Sequence, residues 1–195
     1  MDEFLAYLAQ FGPLSPEQRT LITQKTTRLR LRKGEFFQRS DAPAQRVGFV
    51  VEGIFRVCHL TASGQEVTHY FVGEQNMLTC LTGLEQPPQS APDGIVAHYV
   101  QALTDCRVLV ISAPDLLVLS RTIPGWDVIT RQAVEQALSQ KMRRIIPMLA
   151  QDGTTRYTSF LKTFPRLANR VPLAHLASYL GLTQSSLSRI RKAIR

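Results

Sequence analysis

The last acidic residue of this 195-residue chain is Asp152. Beyond it no Asp or Glu occurs, yet eight basic residues do: Arg156, Lys162, Arg166, Arg170, Arg189, Arg191, Lys192 and Arg195. The formal net charge of +8 belongs wholly to this segment, because Lys and Arg balance the 15 Asp and Glu within residues 1–152. A cationic segment without acids suits the phosphate backbone of nucleic acid, whose counterions it releases. Cysteine is scarce as well. Cys58, Cys80 and Cys106 are odd in number, far apart and outside any CxxC or His/Cys metal spacing, which predicts buried free thiols and no metal. No apolar run approaches the roughly 20 residues that cross a bilayer, and Met1-Asp2-Glu3 does not open a leader. The expectation is a cytoplasmic protein with no membrane partner. Ser-His-Asp, Walker and GxGxxG constellations are missing, so no catalytic residue and no cofactor is assigned.

What is present divides by period. Ser15-Pro16-Glu17-Gln18 reads as a capping box opening a helix to about Lys25, after a shorter helix over Asp2 to Gln10. From Thr27 to Ser112 the period is two. Strands are expected at Leu29–Arg32, Val47–Val51, Ile54–Leu60, Val67–Val72, Ile95–Leu103 and Arg107–Ile111, separated by Gly-, Ser- and Asp-containing turns and by a proline-rich loop over Gln86–Gly94. Many short strands so punctuated indicate a barrel or jelly roll.

Helical spacing returns after Ser112. Ser112-Ala-Pro-Asp115 opens a short helix, and a long one is expected over Trp126–Leu149, about 35 Å at 1.5 Å per residue. Val134, Leu138, Ile145 and Leu149 form a stripe on it, wide enough to meet the barrel on one side and a second subunit on the other. Pro147 is expected to kink or end it. Asp152-Gly153 reads as a junction, followed by Tyr157, Phe160, Leu161 and Phe164 at core spacing.

From Val171 onward nearly every constrained position of a helix-turn-helix is suitably filled. Pro172 fits a first helical position, Leu176 and Leu180 repeat at helical spacing, and Ala177 is small where a second helix passes. Gly181 serves the turn, Thr183 can cap the next helix, and Leu187 and Ile190 return to the core. A reading helix starting at Thr183 places Gln184, Ser185, Ser188 and Arg189 toward a major groove. Arg189 suits guanine and Gln184 adenine, while Thr183, Lys192 and Arg170 suit phosphate.

A β-roll, a long helix and a helix-turn-helix in this order resemble the CRP/FNR family of transcription regulators. The resemblance rests on Phe49-Val-Val-Glu-Gly53, on Thr61-Ala-Ser-Gly-Gln-Glu66 and on Arg170 through Lys192; Arg156-Tyr157, Phe160-Leu161 and Pro165 are similar to members found in Bacteroidetes-type bacteria. It implies an α+β fold with a cyclic-nucleotide-binding-domain-like jelly roll (double-stranded β-helix) over 1–113, a short helix and a dimerisation helix over 114–150, and a DNA-binding helix-turn-helix over 151–195. It further implies a homodimer on double-stranded DNA with an inverted-repeat operator, and RNA polymerase as a partner. The sequence ends at Arg195, so the expected helix-turn-helix is wingless.

The chain departs from nucleotide-binding members in its phosphate cassette. Met77-Leu-Thr-Cys-Leu81 and Val96-Ala97 stand where those members carry Gly-Glu-Leu and an Arg-Ser or Arg-Thr pair. A phosphate brought into a barrel needs a cation and donors, so the effector is expected not to be a cyclic nucleotide. Arg56 and Arg107, the nearest alternatives, are expected to face solvent. His59, His69, His98 and His175 read as isolated, which leaves haem unsupported, and the N-terminal cysteine cluster of iron–sulfur relatives is absent. Two further functions remain. A helix-turn-helix retained for protein binding would lack salt-dependent DNA affinity. A cupin-like metalloenzyme would need an HxH pair followed by Glu, which the sequence lacks.

Overall fold

The structure is a computed structural model that describes residues 1–39, 45–61, 63–78, 95–165 and 167–194, with the backbone alone at 95–98 and 143–149. Among the described residues two helices, α1 (Asp2–Ala9) and α2 (Pro16–Gln24), precede eight strands: β1 (Thr27–Leu31), β2 (Phe36–Gln38), β3 (Arg46–Glu52), β4 (Phe55–Thr61), β5 (Glu66–Val72), β6 (Met77–Leu78), β7 (Ile95–Ala102) and β8 (Cys106–Ser112). Helices α3 (Ala113–Thr122), α4 (Trp126–Ala150), α5 (Gly153–Thr163), α6 (Leu173–Tyr179) and α7 (Gln184–Ile194) follow.

The strands form two four-stranded sheets, ordered β1-β8-β3-β6 and β2-β7-β4-β5, with antiparallel pairing. Their facing sides enclose Phe37, Val50, Phe55, Val72, Val100 and Val108. Helices cover the outer sides. On the first sheet, Phe49, Leu109 and Ile111 pack with Phe4 and Leu8 of α1, Ile22 of α2, Leu119 of α3 and Trp126 and Ile129 of α4. Both faces of β8 are therefore buried, which is why Val108-Leu-Val-Ile111 is continuously apolar. On the second sheet, Phe71 and the flanking Ile54 and Leu103 pack with Tyr157 and Phe160 of α5, Leu176, Ala177 and Leu180 at α6, and Leu187 of α7.

Local chemistry sets the element ends. The Ser15 hydroxyl accepts from the Gln18 backbone N–H while the Gln18 side chain accepts from Ser15 N–H, the reciprocal box the sequence predicts. Ser112 caps α3 through the Asp115 N–H at 3.2 Å. The turn between β3 and β4 depends on Gly53, whose φ of +103° is a backbone conformation side chains avoid.

Four expectations shift. The short strands β2 and β6 were not anticipated, because runs of three and two residues are too brief to show alternation. Helix α4 continues through Pro147 to Ala150; so near the C-terminus the proline removes a single hydrogen bond from a helix that is about to end anyway. Pro172 is the N-cap of α6 rather than its first helical residue. Thr183 caps the last helix through its hydroxyl as expected, but α7 itself begins at Gln184 rather than at Thr183. The proline-rich loop, Cys80 and most of the presumed phosphate cassette lie outside the described residues.

Candidate nucleic-acid interface and its seam with the sandwich

The C-terminal helices are built around one small core. Asp152 caps α5, its carboxylate accepting from the Thr155 N–H at 2.9 Å and from the Thr155 hydroxyl at 3.0 Å. Those bonds hold the Asp152 carboxyl below the usual carboxylate range. Tyr157 and Phe160 then point inward, as their spacing requires. After α6 the chain reverses at Gly181, whose φ is +64°. The Leu182 N–H closes the turn on the Ala177 carbonyl at 2.9 Å. Thr183 Oγ1 accepts from the Ser186 N–H at 3.1 Å and starts α7.

One side of α7 is anchored and the other is open. Leu187 is fully buried and Ile190 packs beside it. Gln184, Ser185, Arg189 and Lys192 are exposed, and Ser188 is half-buried between the two sides. Six of the seven residues expected at a DNA surface, Thr183, Gln184, Ser185, Ser188, Arg189 and Lys192, are thus gathered on or at the start of one helix. The seventh is not with them. Arg170 turns to the sandwich, where its Nη2 donates to Glu74 Oε1 at 2.8 Å. Burial opposes charge on Glu74, but Arg170 and the Gly53 N–H together hold its carboxyl below the ordinary range.

Arg56 is the larger correction. It does not face solvent: it is 4% exposed, on β4 beneath α6. Its Nη1 meets His175 Nδ1 at 2.8 Å, and its Nη2 donates to Glu66 Oε2 and Gln101 Oε1, both at 2.7 Å. Nor are three of the four histidines isolated, since His175 belongs to this cluster and the rings of His59 and His69 meet edge to face at 4.3 Å between centroids; the His98 side chain lies outside the described residues. Arg107 is exposed as expected and pairs with Glu52. Sequence reasoning could not find the Arg56 cluster, because His175 lies 119 residues from Arg56 and no local pattern links them.

The expected subunit stripe is open in the protomer. Val134 is 38% and Leu138 52% exposed, and Met142, which the sequence reading did not include, extends the row one turn further. The side chains of Ile145 and Leu149 lie outside the described residues. An open cavity of about 640 Å³ runs between α1, the β5–β6 turn, α4 and the stretch after α5. Tyr7, Tyr70, Glu74, Gln140, Lys141 and Phe164 line it. Burial pushes the thiols of Cys58 and Cys106 up, and both are free. Among the described residues no His, Cys, Asp and Glu side chains gather into a metal-binding group. No described helix is long and apolar enough to cross a membrane.

Known proteins carry the same architecture. Residues 28–122 match the family described as the cyclic nucleotide-binding domain. No curated protein matches the sequence. Among solved structures, a transcriptional regulator of the CRP/FNR family from Eubacterium rectale superposes with a TM-score of 0.69 at 18% identity, over 92% of this chain and 83% of that one. FixK2 from Bradyrhizobium japonicum gives 0.70 at 22% identity, over 87% and 84%. The c-di-GMP responsive regulator CLP from Xanthomonas campestris gives 0.66 at 17% identity, over 92% and 91%. Residues 28–122 are therefore similar to the cyclic nucleotide-binding domain, and the chain shares its fold with solved regulators of the CRP/FNR family.

Proposed function

We propose that the chain is a sequence-specific, DNA-binding transcription regulator that works as a homodimer. The observation that carries this reading is α7, a helix fixed by Leu187 while Gln184, Ser185 and Arg189 stand outward, within a segment of eight cations and no acid. In this reading α6, the Gly181 turn and α7 form a helix-turn-helix of the 151–195 unit. Residues 1–113 form the sensor-like β-roll, and α4, within 114–150, joins two protomers along Val134 and Leu138, with Ile145 and Leu149 continuing the row. Thr183 and Lys192 serve phosphates. Arg170, turned to Glu74, serves the seam with the sandwich instead.

The effector in this reading is not a cyclic nucleotide. Arg56, the one buried cation among the described residues, has both Nη groups committed to protein partners and offers neither to a phosphate.

Selection from random DNA should return inverted repeats with half-sites about one helical turn, roughly 34 Å, apart. Arg189→Ala should cost about 1–3 kcal/mol on the selected site and relax preference at one base step. Fluorescence anisotropy on matched and scrambled duplexes checks this, and an equal loss on both would assign Arg189 to the backbone. Affinity should fall steeply with salt. Salt-independent binding, or none to any duplex, would favour a protein partner for the same helices.

A further inference from the structure

We propose that His175 and Arg56 form a proton-sensitive latch that holds the C-terminal helices on the β4–β5 side of the sandwich and loosens when His175 takes up a proton. Four elements meet at the latch. Arg56 comes from β4, Glu66 from β5, Gln101 from β7 and His175 from α6. One turn along α6, Ser178 Oγ accepts from the Thr68 backbone N–H at 3.0 Å. β5 is the last strand of its sheet, so this N–H has no strand partner on that side and finds its acceptor on the helix instead.

The latch works only with a neutral imidazole. Arg56 has donors alone, so a bond from its Nη1 to His175 Nδ1 requires a lone pair on that nitrogen and places the ring proton on Nε2. Proton uptake at Nδ1 replaces the acceptor by a second donor and sets two cations at contact distance in a half-buried seam. Among the described residues the charged groups that face His175 are Arg56 and Glu66; Gln101 is neutral, and α6 carries no Asp, Glu, Lys or Arg. The seam's other ion pair, Arg170 with Glu74, joins the β5–β6 turn and does not touch the ring. Burial, then Arg56, draws the His175 pKa below its ordinary 6.5, with Glu66 opposing.

The sign follows from linkage. The docked state prefers neutral His175, so its advantage is complete above the undocked pKa of 6.5 and is lost as pH falls below it. One pH unit below that value, the free protonation of the undocked histidine weakens docking by at most about tenfold, the ceiling being reached when the docked ring stays neutral. The apolar contacts of Phe71 with Phe160 and Tyr179 remain, so the seam opens more often without the protein unfolding.

The Thr68 amide reports docking directly, and the experiment needs no DNA. Its hydrogen-exchange protection in the full chain, corrected for the intrinsic pH dependence of exchange, should fall severalfold, and by no more than about tenfold, between about pH 7.5 and about pH 5.5. Amides of the central strands β3 and β8 should hold. In His175→Asn, where Oδ1 can accept from Arg56 but cannot be protonated, Thr68 should stay protected with no such dependence. An unchanged Thr68 in the natural chain, or the same fall in His175→Asn, overturns the latch. Should that variant not fold, the natural protein still decides: the loss of Thr68 protection must set in near the undocked pKa of 6.5 and level off where the docked His175 ring itself titrates, below that value, and a fall that lies outside this window overturns the proposal.

Discussion

Gly53→Ala should destabilise the protein by about 3 kcal/mol or more, through the most severe clash a methyl group meets at any of the described glycines. Two costs add. The backbone at Gly53 has φ of +103°, which an alanine adopts only under strain. A Cβ there would also lie 2.4 Å from Cys106 Sγ, 2.7 Å from the Asp105 carbonyl oxygen and 2.9 Å from Cys106 Cα. The second and third of these are backbone atoms at the start of β8, a strand held on both sides by β1 and β3, so they have little room to retreat. The substitution also disturbs the Gly53 N–H bond to Glu74, the carboxylate that receives Arg170. Damage at the β3–β4 turn is therefore expected to reach the C-terminal helices. Chemical denaturation checks the magnitude; a loss under about 1 kcal/mol would show that the turn can re-form around a side chain.

Leu138→Asp should leave a folded monomer and reduce specific DNA affinity by at least about a hundredfold. Leu138 is 52% exposed in the protomer, so aspartate there costs the isolated fold little. In an isologous interface the same change appears twice across the two-fold axis, and two carboxylates would be buried facing each other's neighbourhood. On the proposed function, a monomer would bring one reading helix to one half-site and lose the joint hold on both halves of the operator. Light scattering at tens of micromolar, with circular dichroism to verify folding, tests the assembly; anisotropy on the selected operator tests the consequence. A dimer that survives Leu138→Asp would move the subunit contact away from α4.

The parts of the fold that could be read from the chain are those governed by neighbours in sequence. Ser15, Ser112 and Thr183 announce helix starts because a cap and its N–H partner sit three residues apart, and Asp152, which reads in the sequence as a junction, caps α5 with the same spacing. Leu176, Leu180 and Leu187 announce a shared core through helical spacing, and all three are buried. The exposed row on α4 was legible for the same reason, although Met142 was passed over. What stayed hidden is the docking of the helices on the sandwich. The pattern of Arg56-Val-Cys58 on β4 marks one side as apolar and the other as mixed, and an arginine on a mixed side reads as solvent-facing until a helix from the far end of the chain arrives to cover it. Arg170 misled in the same way: its charge suits phosphate, and only the fold brings Glu74 within 2.8 Å. Sequence periodicity records which face is covered, without naming the cover.

The Thr68–Ser178 bond has a bearing on synthesis. Ser178 follows Thr68 by 110 residues, so at a ribosomal pace of about 5–20 residues per second β5 emerges roughly 5–20 seconds before the helix that shields it. Through that interval the nascent sandwich presents an uncovered strand, with backbone donors ready to extend a sheet with any neighbouring chain. For this protein the hazardous moment of self-association thus belongs to translation, and α6 arrives as its own chain's late-coming chaperone.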